Sequence, residues 1–361
     1  MRSEPRIAFV TDALPAIGGG EKTLFAALEA FPNADLFTLI YNKNIFRNTP
    51  LANRKVNTSF LNLIPWAHHH HRLFLPLMPL AIEHLDLRDY DLVVSFNYAV
   101  ANGARVRAKA RHISYTYTPM RYAWNNFNIN GRRSRNGSLM QMLFQSFRRW
   151  DLTAASHIKE FGAISHVIQE RIRYAYQREA RIIYPPVEIE RFHPNSPRSN
   201  YYIAVSRLVA HKRLDLVVKA FARLSQPLII VGDGPELPRL KRLASSNIRF
   251  LGYQNDEVVA NLLGMAEGFV SAAEEDFGIA IVEAQAAGCP IISYGKGGAS
   301  ETVIDGVTGV FFTEQSVDSL IDAVKNFERI APQFRSTDLV NNARQFSKSN
   351  FKNEFIAFLN R

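Results

Sequence analysis

The sequence has a single cysteine, Cys289, among 361 residues. One thiol excludes a disulfide framework and a zinc site built on cysteines, and it favours a reducing compartment. Long apolar runs are also missing. The longest, Leu73–Ile82, contains two prolines and has ten residues, whereas a helix that crosses a bilayer needs about 20. We therefore expect no membrane span, and the first twelve residues hold no apolar stretch that would make a secretory leader.

Acidic residues are absent from residues 101–150, although this stretch contains ten basic residues. These are Arg105, Arg107, Lys109, Arg111, Arg121, Arg132, Arg133, Arg135, Arg148 and Arg149. The formal net charge of +10 divides into +11 over residues 1–187 and −1 over residues 188–361. Such a concentration indicates a surface for an anionic partner. Nucleic acid is one candidate, but aromatic residues lie among the arginines (Trp124, Phe127, Phe144, Phe147 and Trp150), and an anionic membrane surface fits that mixture at least as well. Of the two partners we predict the membrane surface.

Short β-branched runs alternate with segments that have apolar residues at helical spacing, such as Leu214–Leu224 and Asp318–Phe327. The runs predicted as strands are Arg6–Thr11, Leu36–Tyr41, Leu92–Phe96, His112–Tyr117, Gly162–Ser165, Tyr202–Ser206, Leu228–Val231, Ile248–Leu251, Phe269–Ala272 and Pro290–Tyr294. This alternation predicts an α/β protein with parallel sheets. A proline-rich segment, residues 184–197, reads as a linker between two domains. The run His68–His71 is interpreted as part of a loop that faces solvent or a membrane, because four consecutive residues do not share the one face that a metal site needs.

A glycine-rich loop follows the first strand and precedes a helix predicted to begin near Lys22. Gly18 and Gly19 let backbone amides approach an anion, and the helix N-terminus favours negative charge. The loop has neither the dinucleotide-binding glycine pattern nor a Walker lysine. From these residues alone, a phosphate site and a tight turn without a ligand remain equally open.

Arg207 and Lys212 follow a predicted strand, where open α/β sheets bind ligands. A guanidinium fork and an ammonium point charge together suit a diphosphate. A surface pair with no ligand is the competing interpretation.

An acidic turn, Glu274–Asp276, follows another predicted strand and leads into an apolar helix. Glu275 and Glu283 are eight residues apart, a little over two helical turns, so we expect them on roughly one side of that helix. The amides of Phe277, Gly278 and Ile279 are placed to bind hydroxyl groups, and Glu283 to accept hydrogen bonds from a ribose diol. Favourable electrostatics at a helix N-terminus is the alternative.

These residues, in the setting EEDFGIAIVEAQAAG, resemble the signature of retaining glycosyltransferases of family 4. The segments VSRLVAHKRLDLVVKAF, VGDGPELPRL, IRFLGY and GGASETVIDGVTGVFF are similar to the same family in the same order. GGGEK, YTYTPMRYAW and IIYPPVEIERF also fit, and they point to bacterial mannosyltransferase-like enzymes that build O-antigens and exopolysaccharides.

The resemblance implies a GT-B fold, with two Rossmann-like domains facing across a cleft. The first, residues 1–187, would bind the acceptor, the second, 198–335, the nucleotide sugar, and residues 336–361 would cross back, with a helix over Asn341–Phe358. The family reaction implies no metal or other cofactor. The co-substrate is a nucleoside diphosphate sugar, with GDP-mannose favoured. The acceptor would be a saccharide or lipid-linked saccharide at the cytoplasmic face of the plasma membrane, where the protein would be peripheral. The oligomeric state stays open.

The resemblance also implies roles for single residues. Arg207 and Lys212 would bind the diphosphate, Glu275 and the amides of Phe277, Gly278 and Ile279 the sugar, and Glu283 the ribose. Gly18 and Gly19 would close on the phosphates, Arg121 would contact substrate, and Tyr253 would lie near the base.

Tyr117 stands where related sequences carry a histidine near the reacting sugar. It can still donate a hydrogen bond there, whereas His112, five residues earlier on the same strand, points to the opposite face. This departure motivates one alternative, a catalytically silent partner that binds a saccharide or nucleotide. A nucleotide-sugar epimerase on the same fold is a separate alternative.

Overall fold

The structure is a computed structural model that describes residues 5–124, 138–195 and 197–360. Phe127, Arg132, Arg133 and Arg135 lie outside the described residues. The chain divides into two compact units: Met1–Pro186 with Phe351–Arg361, and Val187–Asn350.

The first unit contains a seven-stranded sheet in the order β3-β2-β1-β4-β5-β6-β7, with every neighbouring pair parallel. Its strands are β1 Ile7–Thr11, β2 Asp35–Thr38, β3 Val56–Thr58, β4 Leu92–Asn97, β5 Arg111–Thr116, β6 Glu160–Ala163 and β7 Ala180–Ile182. Its helices are α1 Gly19–Ala30, α2 Met78–Glu83, α3 Arg121–Trp124, α4 Ser138–Ser156 and α5 His166–Tyr176. The order reverses between β1 and β4, and that reversal is where ligands bind in open parallel sheets.

The second unit contains a six-stranded parallel sheet in the order β10-β9-β8-β11-β12-β13. Its strands are β8 Tyr202–Val205, β9 Leu228–Val231, β10 Ile248–Gly252, β11 Gly268–Ser271, β12 Ile291–Tyr294 and β13 Gly309–Phe312. The remaining helices are α6 Leu214–Arg223, α7 Leu237–Leu243, α8 Asp256–Met265, α9 Ile279–Ala286, α10 Ala299–Thr302, α11 Val317–Ile330, α12 Ser336–Arg344 and α13 Lys348–Leu359. Here the order reverses between β8 and β11.

Each sheet is stabilised by its own apolar core. In the second unit, Tyr202 of β8 packs edge-on against Phe221 of α6 and Phe327 of α11, and all three are buried. In the first unit, the buried rings of Phe9, Phe96 and Tyr115 line the sheet and contact Phe355 of α13 at 5.8–6.1 Å between ring centroids. Burying aromatic rings of this size supplies much of the stability of a domain core.

The parallel α/β architecture confirms the predicted fold class, and all ten predicted strands are present within a few residues. Three short strands, β3, β7 and β13, were not predicted. The predicted helix over Asn341–Phe358 is wrong in its continuity, since α12 ends at Arg344 and α13 begins at Lys348.

The proline-rich segment predicted as a linker is packed rather than extended into solvent. Val187 and Phe192 within it are buried, and the Val187 amide donates to the Phe346 carbonyl at 2.9 Å. Among the described residues, no helix has both the length and the apolar character that crossing a bilayer requires.

Candidate functional site

The reversal point of the second sheet brings together the loops that follow β8 and β11. Lys212 lies in the first loop, at the end of a 3₁₀ turn, and Glu275 in the second. The Lys212 Nζ atom is 2.8 Å from Glu275 Oε1 and 2.6 Å from Oε2. Both side chains keep about a fifth of their surface exposed, 21% and 18%. The ammonium and the carboxylate are therefore paired but reachable from solvent.

The loop that carries Glu275 is held by the loop after β12. The Gly298 amide donates to the Glu275 carbonyl at 2.7 Å, and Glu275 and Gly297 form a parallel bridge. A Cβ atom at Gly298 would overlap the backbone of Phe277. Glycine is needed there because the two backbones pass too close for any side chain.

Glu275 and Glu283 do not share a helix, so the expectation from their helical spacing is wrong. Gly278 adopts a left-handed conformation (φ 93°), and α9 begins only at Ile279. Glu275 therefore precedes the helix in the loop, while Glu283 lies within it. The first amides of α9, including that of Ile279, have no acceptor inside the helix and point toward its N-terminus. Phe277 is buried against the Phe346 ring.

Glu283 is held by Arg191, a residue that was not predicted. Arg191 donates to Glu283 Oε1 at 2.9 Å and also pairs with Asp256 at the start of α8. The Glu283 side chain is only 13% exposed. Arg191 thus fixes the position of the carboxylate, and its place in the segment taken for a linker explains why the sequence did not reveal it.

Arg207 is exposed at the end of β8, in the same loop as Lys212. This loop is supported by the glycines after β9. Cβ atoms at Gly232 and Gly234 would overlap the carbonyl oxygens of Ser206 and Leu208. Tyr253, which follows β10, is 80% exposed and makes no ring contact within the described part of the chain.

Three predicted site residues of the first unit, Gly18, Gly19 and Tyr117, make hydrogen bonds within that unit. Gly18 caps α1, and its amide donates to Glu21 Oε2 at 2.8 Å, while the Gly19 carbonyl accepts from the Thr23 hydroxyl at 2.9 Å. The Tyr117 hydroxyl donates to the Gly20 carbonyl at 2.8 Å. Tyr117 thus ties the strand β5 loop to α1, and burial raises the pKa of its hydroxyl well above the usual value.

Arg121 is an exposed residue at the start of α3. His112 is buried, and its Nε2 atom is 2.7 Å from the Ser95 hydroxyl. Burial lowers the pKa of His112 to about 3, so the ring is neutral. As the odd spacing from Tyr117 predicts, His112 does not stand in for the missing histidine.

Asp12 is a buried carboxylate at the reversal point of the first sheet that the sequence did not single out. It follows β1 and is 1% exposed. Its oxygens accept hydrogen bonds from the amides of Tyr98, Ala99, Val100 and Ala101 in the loop after β4, three of them at 2.8–3.1 Å. Burial raises the pKa of Asp12 to about 6, although the four amides oppose this shift.

Several arginines of the predicted basic surface have acidic partners. Arg105 pairs with Glu83 at 2.5 Å, Arg111 with Glu160 at 3.1 Å, and Arg107 with Asp91. Arg148 lies over the Trp124 ring. These contacts leave fewer unpaired charges on residues 101–150 than the sequence suggests.

Comparison with known proteins shows which protein family the second unit resembles. Residues 187–346 match the family model for glycosyl transferases group 1. The Lys212–Glu275 pair, Glu283 and Arg191 all lie within the matched residues.

Two relatives are named as glycosyltransferases. The chain is 31% identical over 203 residues to D-inositol 3-phosphate glycosyltransferase of Mycobacterium leprae, which covers 49% of this chain and 47% of the relative. It is 31% identical over 194 residues to GDP-mannose-dependent alpha-(1-6)-phosphatidylinositol monomannoside mannosyltransferase of Mycobacterium tuberculosis, covering 45% and 50%. The chain thus spans about half the length of the curated relatives it matches.

Solved structures resemble the chain over nearly all of its length. Sucrose-phosphate synthase from Thermosynechococcus elongatus has a TM-score of 0.76 at 17% identity and covers 98% of both chains. HepE from Anabaena, in complex with UDP and glucose, has a TM-score of 0.72 at 18% identity and covers 99% of this chain and 100% of its own. With two Rossmann-like units, the fold is GT-B.

Proposed function

We propose that this protein is a retaining glycosyltransferase that transfers a hexosyl group from a nucleoside diphosphate sugar to a saccharide or lipid-linked acceptor. The observation that carries the proposal is the Lys212–Glu275 pair at the reversal point of the second sheet, inside the residues that match the group 1 family. It supplies a cation for a diphosphate and a carboxylate for sugar hydroxyls at the place where parallel sheets bind ligands.

In this proposal, the donor diphosphate competes with Glu275 for Lys212. A diphosphate brings more negative charge than one carboxylate, and the exposed Arg207 in the same loop adds a second cation. Glu275, released from the ammonium, then accepts hydrogen bonds from the sugar. The first amides of α9 donate to the donor at a helix N-terminus, which favours anions.

The ribose lies against Glu283, which Arg191 holds in place. During transfer, the bond between the anomeric carbon and the diphosphate oxygen breaks, and the acceptor hydroxyl bonds to that carbon from the same face. The acceptor proton passes to the departing diphosphate. The cations stabilise the charge that develops on the leaving group, which is a large contribution in such reactions.

GDP-mannose is the donor that we favour, because one relative is named as GDP-mannose-dependent. Use of UDP sugars is the competing choice, since HepE was solved with UDP. The acceptor would be part of a cell-surface saccharide, and the enzyme would work at the cytoplasmic face of the membrane.

One observation favours a catalytically silent binding partner instead. Tyr117 replaces the expected histidine, and its hydroxyl is engaged with the Gly20 carbonyl. A partner that binds without turnover has no need of a group at that position.

The experiment is to incubate the full chain with GDP and UDP sugars and measure release of the nucleoside diphosphate, with and without saccharide acceptors. Our proposal predicts slow release alone, faster release with an acceptor, and an α-linked product from an α-linked donor by NMR. Binding without release would assign the silent partner. Conversion of the sugar while it stays attached to the nucleotide would assign an epimerase.

A further inference from the structure

Five large apolar side chains of the first unit point into solvent within one short segment. They are Leu63, Trp66, Leu73, Leu77 and Leu80, which we call the apolar face. Leu63 is 83% exposed, Leu73 75% and Trp66 71%. Single exposed leucines are common on proteins, but a group of this size marks an interaction site.

The segment is fixed to the core, so the exposure is built into the fold. Leu61, Ala67 and Met78, which alternate with the apolar face along the chain, are buried against the first unit. The backbone reverses at Trp66, where the amides of His69 and His70 donate to the Trp66 carbonyl at 2.9 and 3.2 Å.

Trp66 itself is held in a costly conformation. Its φ is 60°, in the left-handed region that bulky residues rarely adopt. Burial does not offset this cost, because most of the side chain is exposed. Strained backbone of this kind concentrates at functional positions, where the direction of a side chain matters.

The segment that carries the apolar face, residues 63–80, has formal charge of one sign only. No acidic residue occurs between Asp35 and Glu83, whereas the segment contains Arg72 and the His68–His71 run. Glu83, which ends the acid-free stretch, pairs with Arg105 and accepts from the Trp150 indole. Exposed leucines and tryptophan beside the exposed cation Arg72 match the interface of an anionic bilayer, because apolar side chains enter the acyl boundary while cations meet the headgroups.

We infer that the apolar face inserts into the headgroup and acyl boundary of an anionic membrane and docks the first unit on it. Its purpose, access to a lipid-linked acceptor, rests on the proposed function, but the contact itself does not. The inference places membrane contact on residues 63–80 rather than on the arginines of residues 101–150, several of which have acidic partners.

The first measurement is tryptophan fluorescence of the full chain with vesicles of phosphatidylcholine and phosphatidylglycerol. Of the three tryptophans, Trp124 and Trp150 donate their indole N–H to Asp151 and Glu83, each at 2.6 Å, so a change on binding reports Trp66. We expect a blue shift and quenching by lipids brominated near the headgroup end of the chain. An emission spectrum unchanged by vesicles that bind the protein would overturn the inference.

The second measurement compares flotation of variants with those vesicles. Leu63→Asn/Trp66→Asn removes two members of the face, and asparagine tolerates the left-handed backbone at position 66. We expect vesicle partitioning to fall at least about tenfold, in line with the transfer cost of two large apolar side chains. Ile304→Asn/Val307→Asn, which changes two exposed apolar residues of the second unit, is the matched control and should float like wild type.

Sedimentation velocity and donor hydrolysis complete the test. If wild type dimerises and the Leu63→Asn/Trp66→Asn variant does not, the face binds a second copy of the chain and the inference is wrong. Hydrolysis of the nucleotide sugar should be equal in both proteins. Vesicle binding without any hydrolysis of the nucleotide sugar would contradict the proposed function but would still support the membrane contact.

Discussion

In each unit, a carboxylate connects the two loops at the point where the strand order of the sheet reverses. The two carboxylates differ in their partners and in their exposure. Asp12 in the first unit is buried and surrounded by four backbone amides. Glu275 in the second unit faces a single side chain, Lys212, and part of its surface meets solvent. Backbone amides cannot move away without changing the loop, whereas a lysine side chain can.

In the proposed function, this difference separates a structural acid, Asp12, from a substrate-binding one, Glu275. A ligand cannot displace four amides from a buried carboxylate, so Asp12 holds the first unit together. The Lys212–Glu275 pair is partly exposed, and our proposal is that a diphosphate takes Lys212 from Glu275 at little structural cost. Charge at a reversal point therefore predicts a binding site only when its partner is mobile and accessible.

The largest effect that tests the comparison of Asp12 with Glu275 is the pH dependence that Asp12 gives to the unfolding free energy. Its pKa is raised from 3.8 to about 6, so the folded state binds the proton more tightly than the unfolded state. The stability that Asp12 contributes is complete below pH 4 and is lost as the pH rises through 6, by about 3 kcal/mol. We expect the difference in unfolding free energy between wild type and Asp12→Asn to shrink by that amount from pH 4 to 7.

Urea unfolding of both proteins at several pH values measures this difference. A difference that grows with pH would mean that the four amides outweigh burial and that Asp12 ionises more easily when folded.

The next effect concerns the support of the Glu275 loop. Gly298→Ala places a methyl group on the Phe277 backbone, so one of the two loops must shift. We expect a loss of about 2 kcal/mol in thermal unfolding and weaker donor binding, because the cost of overpacking falls on the loop of Glu275. Gly20→Ala, whose Cβ meets Tyr117 at an ordinary 3.5 Å, is the control and should not destabilise the protein. A Gly298→Ala variant as stable as wild type would show that the loop shifts without cost, which would contradict the tight packing of these two backbones.

The smallest effect is expected at Arg191. Arg191→Lys keeps a positive charge but cannot reach Glu283 and Asp256 together as a planar fork. We predict a rise of about tenfold in the donor KM with little change in kcat, because in the proposed function Arg191 only positions Glu283, the residue assigned to the ribose. Arg329→Lys, on the surface of α11, is the matched control. An equal loss in kcat would contradict this positioning role.

The sequence predicted the sheets well because buried parallel strands read as short apolar runs. It missed β3 because Asn57 and Thr58 make this edge strand polar, and it missed β7, which has only three residues. The continuous C-terminal helix was expected from the family resemblance, and that expectation was wrong because the backbone leaves the helix at residues 345–347.

The sequence singled out some of the residues that the structure brings together. Lys212 and Glu275 were found because residues that follow parallel strands meet at one edge of the sheet. Their pairing was not predicted, since it depends on the spacing of two loops. The prediction that Glu275 lies on a helix was wrong because Gly278 has a left-handed conformation and the helix begins only after it. Asp12 and Arg191 were missed because a lone charged residue in a loop has no pattern that distinguishes it.

Binding of a nucleoside diphosphate to the Lys212→Ala variant tests the central claim most directly. Calorimetric titration with GDP and UDP should show at least a tenfold loss of affinity in Lys212→Ala, at unchanged melting temperature. Lys219→Ala, which changes an exposed lysine within α6, is the control and should bind like wild type. Equal affinity of wild type and Lys212→Ala for every nucleotide that binds would contradict the account.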